Sequence, residues 1–159
     1  MTTLTAIRNV AEITVDPGTL LVAFASQEGD IVDQHFGSAQ AFYLYSVNAD
    51  HAELVAHQSF GYEKKDGNED KLKPKLLWLA GADVVYCGSI GGSATRQLVS
   101  LGVNPLKVEG GPDVEELLAA LQTQLRGTPE AWLTNILRRK QQDRSDNRFD
   151  AMDDEGWDG

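Results

Sequence analysis

The apolar run Leu20–Ala25 constrains the fold of this chain more than any other stretch. A strand with one solvated face would alternate apolar and polar residues, whereas this run contains no polar side chain. An unbroken run of this kind is typical of a central strand that is covered on both faces. We therefore expect a sheet with helices on both sides.

The two stretches that follow this run predict a β-hairpin. Residues 41–47 are rich in aromatic side chains, and residues 53–60 roughly alternate between apolar and polar. The polar stretch 48–51 lies between them and is expected to form the turn.

The second half of the chain alternates between predicted helices and strands. In order, the patterns predict a helix that starts at residues 68–71, a strand over 82–87, a helix over 93–101, a strand over 103–108 and a helix over 114–125. Pro74 either kinks the first helix or marks its first turn, and Ser93 is the expected cap of the second. The order β-β-β-α-β-α-β-α describes an antiparallel hairpin joined to a parallel, right-handed half, which predicts a three-layer α/β domain with a five-stranded mixed sheet.

The ends of the chain are expected to lie outside this domain. The turn signal Asp16-Pro17-Gly18 closes a stretch of weak periodicity, and the few apolar groups near the C-terminus cannot offset the entropy of ordering it. The predicted organisation is a flexible N-terminal arm (1–18), a cofactor-binding α/β domain (19–127), an additional C-terminal helix (128–141) and a disordered acidic tail (142–159).

Composition narrows the classes of partner. The 14 basic and 24 acidic side chains give a net charge of −10, so we expect neither nucleic acid nor an anionic membrane surface to bind.

No run approaches the ~20 apolar residues of a membrane span and the N-terminus lacks a signal-peptide pattern, so a cytoplasmic protein is expected. The oligomeric state is open, with a monomer favoured. The densest basic group either is a solvated surface, which is the default expectation, or lines the mouth of a site for a charged ligand; it comprises Lys64, Lys65, Lys71, Lys73 and Lys75.

The segment 33–37, Asp-Gln-His-Phe-Gly, is the strongest candidate for chemistry. A histidine in a loop just beyond a buried strand is held by rigid backbone while its ring nitrogens stay accessible. His35 is therefore a candidate ligand for a soft metal or a cluster, although a histidine that satisfies a backbone group fits the pattern equally well. Asp33 either orients the imidazole or is an ordinary turn aspartate, and Gly37 is expected to supply a turn conformation. The candidate binding residues of this loop are Asp33, Gln34 and His35.

A second candidate loop, residues 87–93, follows the fourth predicted strand. Its glycines match neither a dinucleotide fingerprint nor a P-loop, because no lysine follows them, but such a loop suits an anion. Cys87, the single cysteine, is either a small buried residue or a thiol whose pKa is lowered by the neighbouring helix N-terminus. Arg96 faces either an anion or solvent. The candidate binding residues are Cys87, Gly88, Ser89, Gly91, Gly92, Ser93 and Arg96, with His35 and Cys87 as candidate metal ligands.

Because loops after parallel strands gather at one edge of a sheet, the two candidate loops are expected to meet where open α/β sheets bind ligands. A nucleotide- or anion-binding regulatory module remains an alternative to a metal site, since the glycine loop could cradle phosphate.

Several motifs occur in one order along the chain: Asp33 to Gly37, Asp66 to Leu72, Tyr86-Cys87, Ala94 to Leu98, Gly102 to Val108 and Ala131-Trp132-Leu133. In this combination the chain resembles the NifX family of nitrogenase iron-molybdenum cofactor biosynthesis proteins, over about residues 20–137. The resemblance implies a ribonuclease-H-like α/β fold. Nuclease activity is nevertheless excluded, because such an enzyme normally places one of its Mg²⁺-binding carboxylates on the first strand and the predicted strand, residues 20–26, contains none.

The resemblance implies a carrier and not an enzyme. Such proteins bind iron-sulfur precursors of the cofactor and pass them from the cofactor-core synthase, NifB, to the assembly scaffold, NifEN. His35 matches the cluster-binding histidine of the family, and Cys87 matches a cysteine of its NifX branch. Where some relatives carry a further cysteine, this chain has Ser89-Ile90-Gly91. Imidazole and thiolate groups are ligands that iron-sulfur clusters accept.

Overall fold

The computed structural model describes residues 7–60 and 72–142 of the chain. Within these ranges, five strands form one mixed sheet and four α-helices accompany it, so the predicted α/β class with a five-stranded mixed sheet is confirmed. The strands are β1 (Leu20–Ala25), β2 (Ala41–Val47), β3 (Ala52–Ser59), β4 (Val84–Cys87) and β5 (Asn104–Lys107).

β1 lies at the centre of the sheet, whose strand order is β3-β2-β1-β4-β5. It pairs antiparallel with β2 and parallel with β4, and β4 pairs parallel with β5. Every residue of β1 is buried, as the unbroken apolar run predicts for a strand covered on both faces. β2 and β3 form the predicted antiparallel hairpin.

The helices cover both faces of the sheet. They are α1 (Leu72–Leu79), α2 (Gly92–Ser100), α3 (Val114–Arg126) and α4 (residues 131–142). Because successive side chains of a strand point to opposite faces, β1 contributes to two cores. Leu21 and Ala23 pack with residues of α1 and α2, whereas Val22 and Phe24 pack with residues of α3 and α4.

Residues 7–18 are the described part of the segment predicted as a flexible N-terminal arm. Val10 begins a short 3-10 helix, Val10–Glu12, and is fully buried in the core beneath α1 and α2. Gly81 has a φ of +105°, and an ideal Cβ on it would lie 2.7 Å from the backbone of Ala11. This segment therefore packs against the domain, which the sequence could not indicate because an isolated apolar side chain creates no periodic pattern.

Details at the ends of the helices also differ from the predictions. α2 begins at Gly92 with Gly91 as its N-cap, so the expected cap at Ser93 is wrong. Pro74 lies inside the described part of α1, while the predicted start at 68–71 and the predicted tail from 143 onward lie outside the described residues. None of the helices in the described part of the chain is long and apolar enough to cross a membrane.

Candidate functional site

The two candidate loops meet beyond the ends of β1 and β4. The amide N–H of Phe36 donates to the carbonyl oxygen of Ser89 at 2.9 Å, and the amide N–H of Gly88 donates to that of Gln34, also at 2.9 Å. These bonds form a parallel bridge between His35 and Ser89. The parallel pairing of β1 with β4 brings the loops to the same sheet edge, as the element order predicts.

The two loops lie close together because Phe36 is buried and because residue 88 is a glycine, which has no side chain. Phe36 is fully buried and its ring centroid lies 5.6 Å from that of Phe42, which anchors the loop in the core. On the other side, an ideal Cβ on Gly88 would lie only 3.3 Å from the carbonyl oxygen of Gln34. The close approach therefore depends on glycine at position 88.

The imidazole of His35 is exposed and bonded on one side only. Its Nδ1 contacts the hydroxyl oxygen of Ser89. No residue in 7–60 or 72–142 forms a hydrogen bond or ion pair with Nε2. In a neutral histidine one ring nitrogen carries the proton and the other has a free lone pair, so a bond from Nδ1–H to Ser89 would leave Nε2 able to bind a metal.

Asp33 and Gln34 stabilise the loop instead of contacting the imidazole. The Asp33 carboxylate accepts the amide N–H of Gln27 at 3.1 Å. The Gln34 side chain accepts the amide N–H of Gln40 at 3.2 Å and donates to the backbone oxygen of Asp33 at 3.3 Å. Of the two interpretations of Asp33, the turn aspartate fits these contacts.

The loop carrying His35 is also joined to the β5–α3 connection. The amide N–H of Val32 donates to the carbonyl oxygen of Pro112 at 3.0 Å, and the amide N–H of Val114 donates to the backbone carbonyl oxygen of Asp30 at 2.9 Å. The sequence did not predict these two backbone hydrogen bonds, because Pro112-Asp113 has the pattern of an ordinary helix start. The preceding Gly110-Gly111 pair, both with positive φ, was the available signal for a tight connection.

Cys87 lies in the core and not at the exposed edge. Its side chain is fully buried beneath α1 and α2, and its thiol lies 3.9 Å from the carbonyl oxygen of Leu106. Burial raises the pKa of the thiol from its ordinary 9.0 to about 11. Of the two interpretations of Cys87, the small buried residue fits this environment, because desolvation of the thiol disfavours its charged form. A metal binds the thiolate, which this environment disfavours.

The start of α2 follows the loop that contains Ser89 and carries the remaining candidates. Gly91 and Gly92 are exposed, and Ser93 accepts a hydrogen bond from the side-chain amide of Gln97 at 3.1 Å. The guanidinium of Arg96 folds back along this first turn, since its Nη1 lies 3.3 Å from the position of a Cβ on Gly92. The turn thus combines helix N–H groups with a cation, an arrangement that favours anions.

Two further expectations can be compared with the described residues. Gly37 does not have a positive φ, and the nearest atom to an ideal Cβ on it belongs to Leu72 at 3.8 Å, so the expected special turn conformation is wrong. Across 7–60 and 72–142, no three His, Cys, Asp or Glu side chains are grouped closely enough to hold a metal ion.

Comparison with known proteins identifies the family. The family model described as dinitrogenase iron-molybdenum cofactor matches residues 18–124. The chain is 49% identical to Protein NifX of Azotobacter vinelandii over 144 residues, which cover 90% of each protein. It is 35% identical to Protein NifX of Herbaspirillum seropedicae over 122 residues, covering 76% of this chain and 84% of that relative. It is also 34% identical to FeMo cofactor biosynthesis protein NifB of Klebsiella pneumoniae over 116 residues, covering 68% of this chain and 25% of that relative. The chain therefore belongs to the NifX family of dinitrogenase iron-molybdenum cofactor proteins.

Proposed function

We propose that this protein carries an iron-sulfur precursor of the nitrogenase iron-molybdenum cofactor and delivers it to the cofactor-assembly scaffold. Membership of the family assigns the chain to the biosynthesis of that cofactor. The observation that carries the more specific proposal is the exposed imidazole of His35, bonded to Ser89 where the loops after β1 and β4 meet.

His35 is the proposed protein ligand of the cluster. Imidazole nitrogen is a ligand that iron accepts, and Nε2 is the ring nitrogen that faces away from Ser89. Because the described residues contain no group of three His, Cys, Asp or Glu side chains that could hold a metal ion, His35 would bind one iron and leave the other irons to outside ligands. A cluster held by one side chain can pass to a second protein more readily than one held by four, which suits a carrier and not an enzyme.

Local positive charge supports binding of an anionic cluster. The chain has a net charge of −10, so its overall field repels anions. Arg96 and the N-terminal N–H groups of α2, which begins just after the loop containing Ser89, provide the opposite field. Gly91, Gly92 and Ser93 belong to the proposed site because they form this helix start.

The remaining candidates support the site without binding the cluster. Cys87 is left out of the proposed ligand set because its thiol is buried and its pKa is raised. Asp33 and Gln34 hold the loop that carries His35. Gly88 sets the distance between the two loops.

The proposed partners are NifB as the source of the cluster and NifEN as its destination. The similarity of the chain to part of NifB supports the first. Nucleic acid and membranes are not proposed as partners, given the acidic charge.

We also propose that the fold is ribonuclease-H-like and that the chain acts as a monomer in the cytoplasm. The order β3-β2-β1-β4-β5, with its antiparallel hairpin on one side of β1, supports this fold.

Anaerobic cluster loading tests the proposal. Purified protein is incubated with a synthetic [4Fe–4S] cluster that has exchangeable thiolate ligands, and iron and visible absorbance are measured after desalting. The wild type should retain both. His35→Ala should release iron at least about tenfold faster, as loss of a ligand implies. His51→Ala is the matched control, because His51 is an exposed histidine in the β2–β3 turn.

Two results would contradict the proposal. If His35→Ala holds the cluster as tightly as the wild type, His35 is not the ligand. If the wild type gains neither iron nor absorbance but binds inorganic phosphate or a nucleotide, the alternative of an anion-binding regulatory module is favoured. The observation behind that alternative is the position of the Arg96 guanidinium against the start of α2.

A further inference from the structure

A hydroxyl, and not a carboxylate, lies against the imidazole of His35. The Oγ atom of Ser89 contacts Nδ1, while the carboxylate of Asp33 is engaged with the amide N–H of Gln27 at 3.1 Å. Histidines that bind metals almost always donate their other ring N–H to an acceptor, which fixes both the tautomer and the orientation of the ring. Among the described residues, Ser89 alone occupies that position.

The backbone fixes the register of this contact. The bond from Phe36 to the Ser89 carbonyl and the bond from Gly88 to the Gln34 carbonyl, both 2.9 Å long, flank the two side chains. His35 and Ser89 face each other across the resulting parallel bridge. Since the two backbones are already ordered, the side-chain bond costs little further conformational entropy.

We infer that Ser89 is a positioning residue: its hydroxyl accepts Nδ1–H of His35 and so keeps the Nε2 lone pair directed away from the protein, where iron would bind. This inference rests on the proposed function, because ligation through Nε2 requires the proton to be on Nδ1. Without the hydroxyl, the ring loses the acceptor that selects this tautomer and can rotate about its side-chain bonds. Ser89 therefore acts through His35 and is not itself a ligand.

The tautomer can be measured without any cluster. Imidazole ¹⁵N chemical shifts distinguish the Nδ1–H form from the Nε2–H form of the neutral ring. His35 should be mainly in the Nδ1–H form in the wild type and should shift towards the Nε2–H form in Ser89→Ala. Ser89→Thr, which keeps the hydroxyl, should restore the wild-type pattern. Ser38→Ala, which removes an exposed hydroxyl elsewhere in the same loop, should leave it unchanged.

Cluster loading is the second readout. Ser89→Ala should release the synthetic cluster about tenfold faster than the wild type, and Ser89→Thr should release it at the wild-type rate. If Ser89→Ala does not fold, Ser89→Val removes the hydroxyl with a residue that suits a strand bridge.

Each outcome decides the inference. An unchanged His35 tautomer in Ser89→Ala overturns it, and so does a shifted tautomer with an unchanged release rate. Equal release rates for the wild type and His35→Ala would instead overturn the proposed function, while the ¹⁵N shifts would still decide whether Ser89 sets the tautomer.

Discussion

The amide N–H of Gly88 donates to the carbonyl oxygen of Gln34 at 2.9 Å, and an ideal Cβ on residue 88 would lie 3.3 Å from the same oxygen. A side chain at this position would push the two loops apart by a few tenths of an ångström. The distance between His35 and Ser89 thus depends on a neighbouring residue that has no side chain.

Gly88→Ala should lower the free energy of unfolding by about 1 kcal/mol, because the new Cβ must displace the Gln34 carbonyl and lengthen its hydrogen bond. Urea denaturation followed by circular dichroism measures this change. Gly18→Ala is the control, since Gly18 does not have a positive φ and has no atom within 4 Å of its ideal Cβ. Gly18→Ala should change the stability by less than about 0.5 kcal/mol. Equal losses in the two variants would rule out the close approach at Gly88.

The fold was largely predictable because its signals are local. The apolar run Leu20–Ala25 marks the central strand, and the order of strands and helices brings the loop after β1 beside the loop after β4. Contacts between side chains across the loops were not predictable. Asp33 is closer to His35 in sequence, yet Ser89 is the residue that contacts its imidazole.

Burial of single residues was also beyond the sequence pattern. Lys75, expected on a solvated surface, is buried, and its ammonium nitrogen lies 5.3 Å from the ring centroid of Phe60. Cys87 likewise ends a strand at the expected edge, but its side chain points into the core. All four residues of β4 are buried, because helices far away in sequence cover both of its faces, and a four-residue strand alone does not reveal this.

The stability of the protein should fall between about pH 9 and 11, because the Cys87 thiol ionises more readily in the unfolded chain than in the folded protein. Burial raises the thiol pKa in the folded state from 9.0 to about 11, so the unfolded chain loses this proton first. The contribution of the protonated thiol is complete below pH 9 and is lost as the pH rises through 11; its full size is about 3 kcal/mol. Urea denaturation at a series of pH values measures this loss.

Cys87→Ala is the control for this titration. The difference in stability between the wild type and Cys87→Ala isolates the thiol, because Tyr86, whose pKa burial also raises, titrates in both proteins. The difference should shrink as the pH rises from 9 to 11. A difference that stays constant over this interval would mean that the thiol is not desolvated.

Asp83 should be more important for stability than its ion-pair partner, Lys140. One carboxylate oxygen of Asp83 accepts both the Lys140 ammonium at 2.9 Å and the amide N–H of Leu21 at 2.8 Å. The exposed fractions of the Lys140 and Asp83 side chains are only 18% and 13%, so little water can replace a lost partner.

Asp83→Ala should therefore lower the free energy of unfolding by about 3 kcal/mol, because it leaves an amide and an ammonium group unsatisfied. Lys140→Ala should lower it by about 1 kcal/mol, since Leu21 keeps its acceptor. Arg139→Ala, at the exposed neighbouring position on α4, should have an effect below about 0.5 kcal/mol. Thermal and urea denaturation both test this ranking, and an Asp83 effect no larger than that of Lys140 would refute the shared-acceptor argument.

Gly81→Ala should be more damaging than Gly102→Ala, although both glycines have positive φ values, +105° and +83°. The shared backbone strain is expected to cost about 1 kcal/mol in each variant. At Gly81 the added Cβ would also lie 2.7 Å from the backbone of Ala11, whereas at Gly102 it would meet no atom within 4 Å. Gly81→Ala should therefore cost at least about 2 kcal/mol more, because it displaces the segment that buries Val10. Urea denaturation of the two variants measures the difference. Equal costs would mean that the N-terminal segment is not packed against Gly81 in solution, in agreement with the flexible arm that the sequence alone predicts.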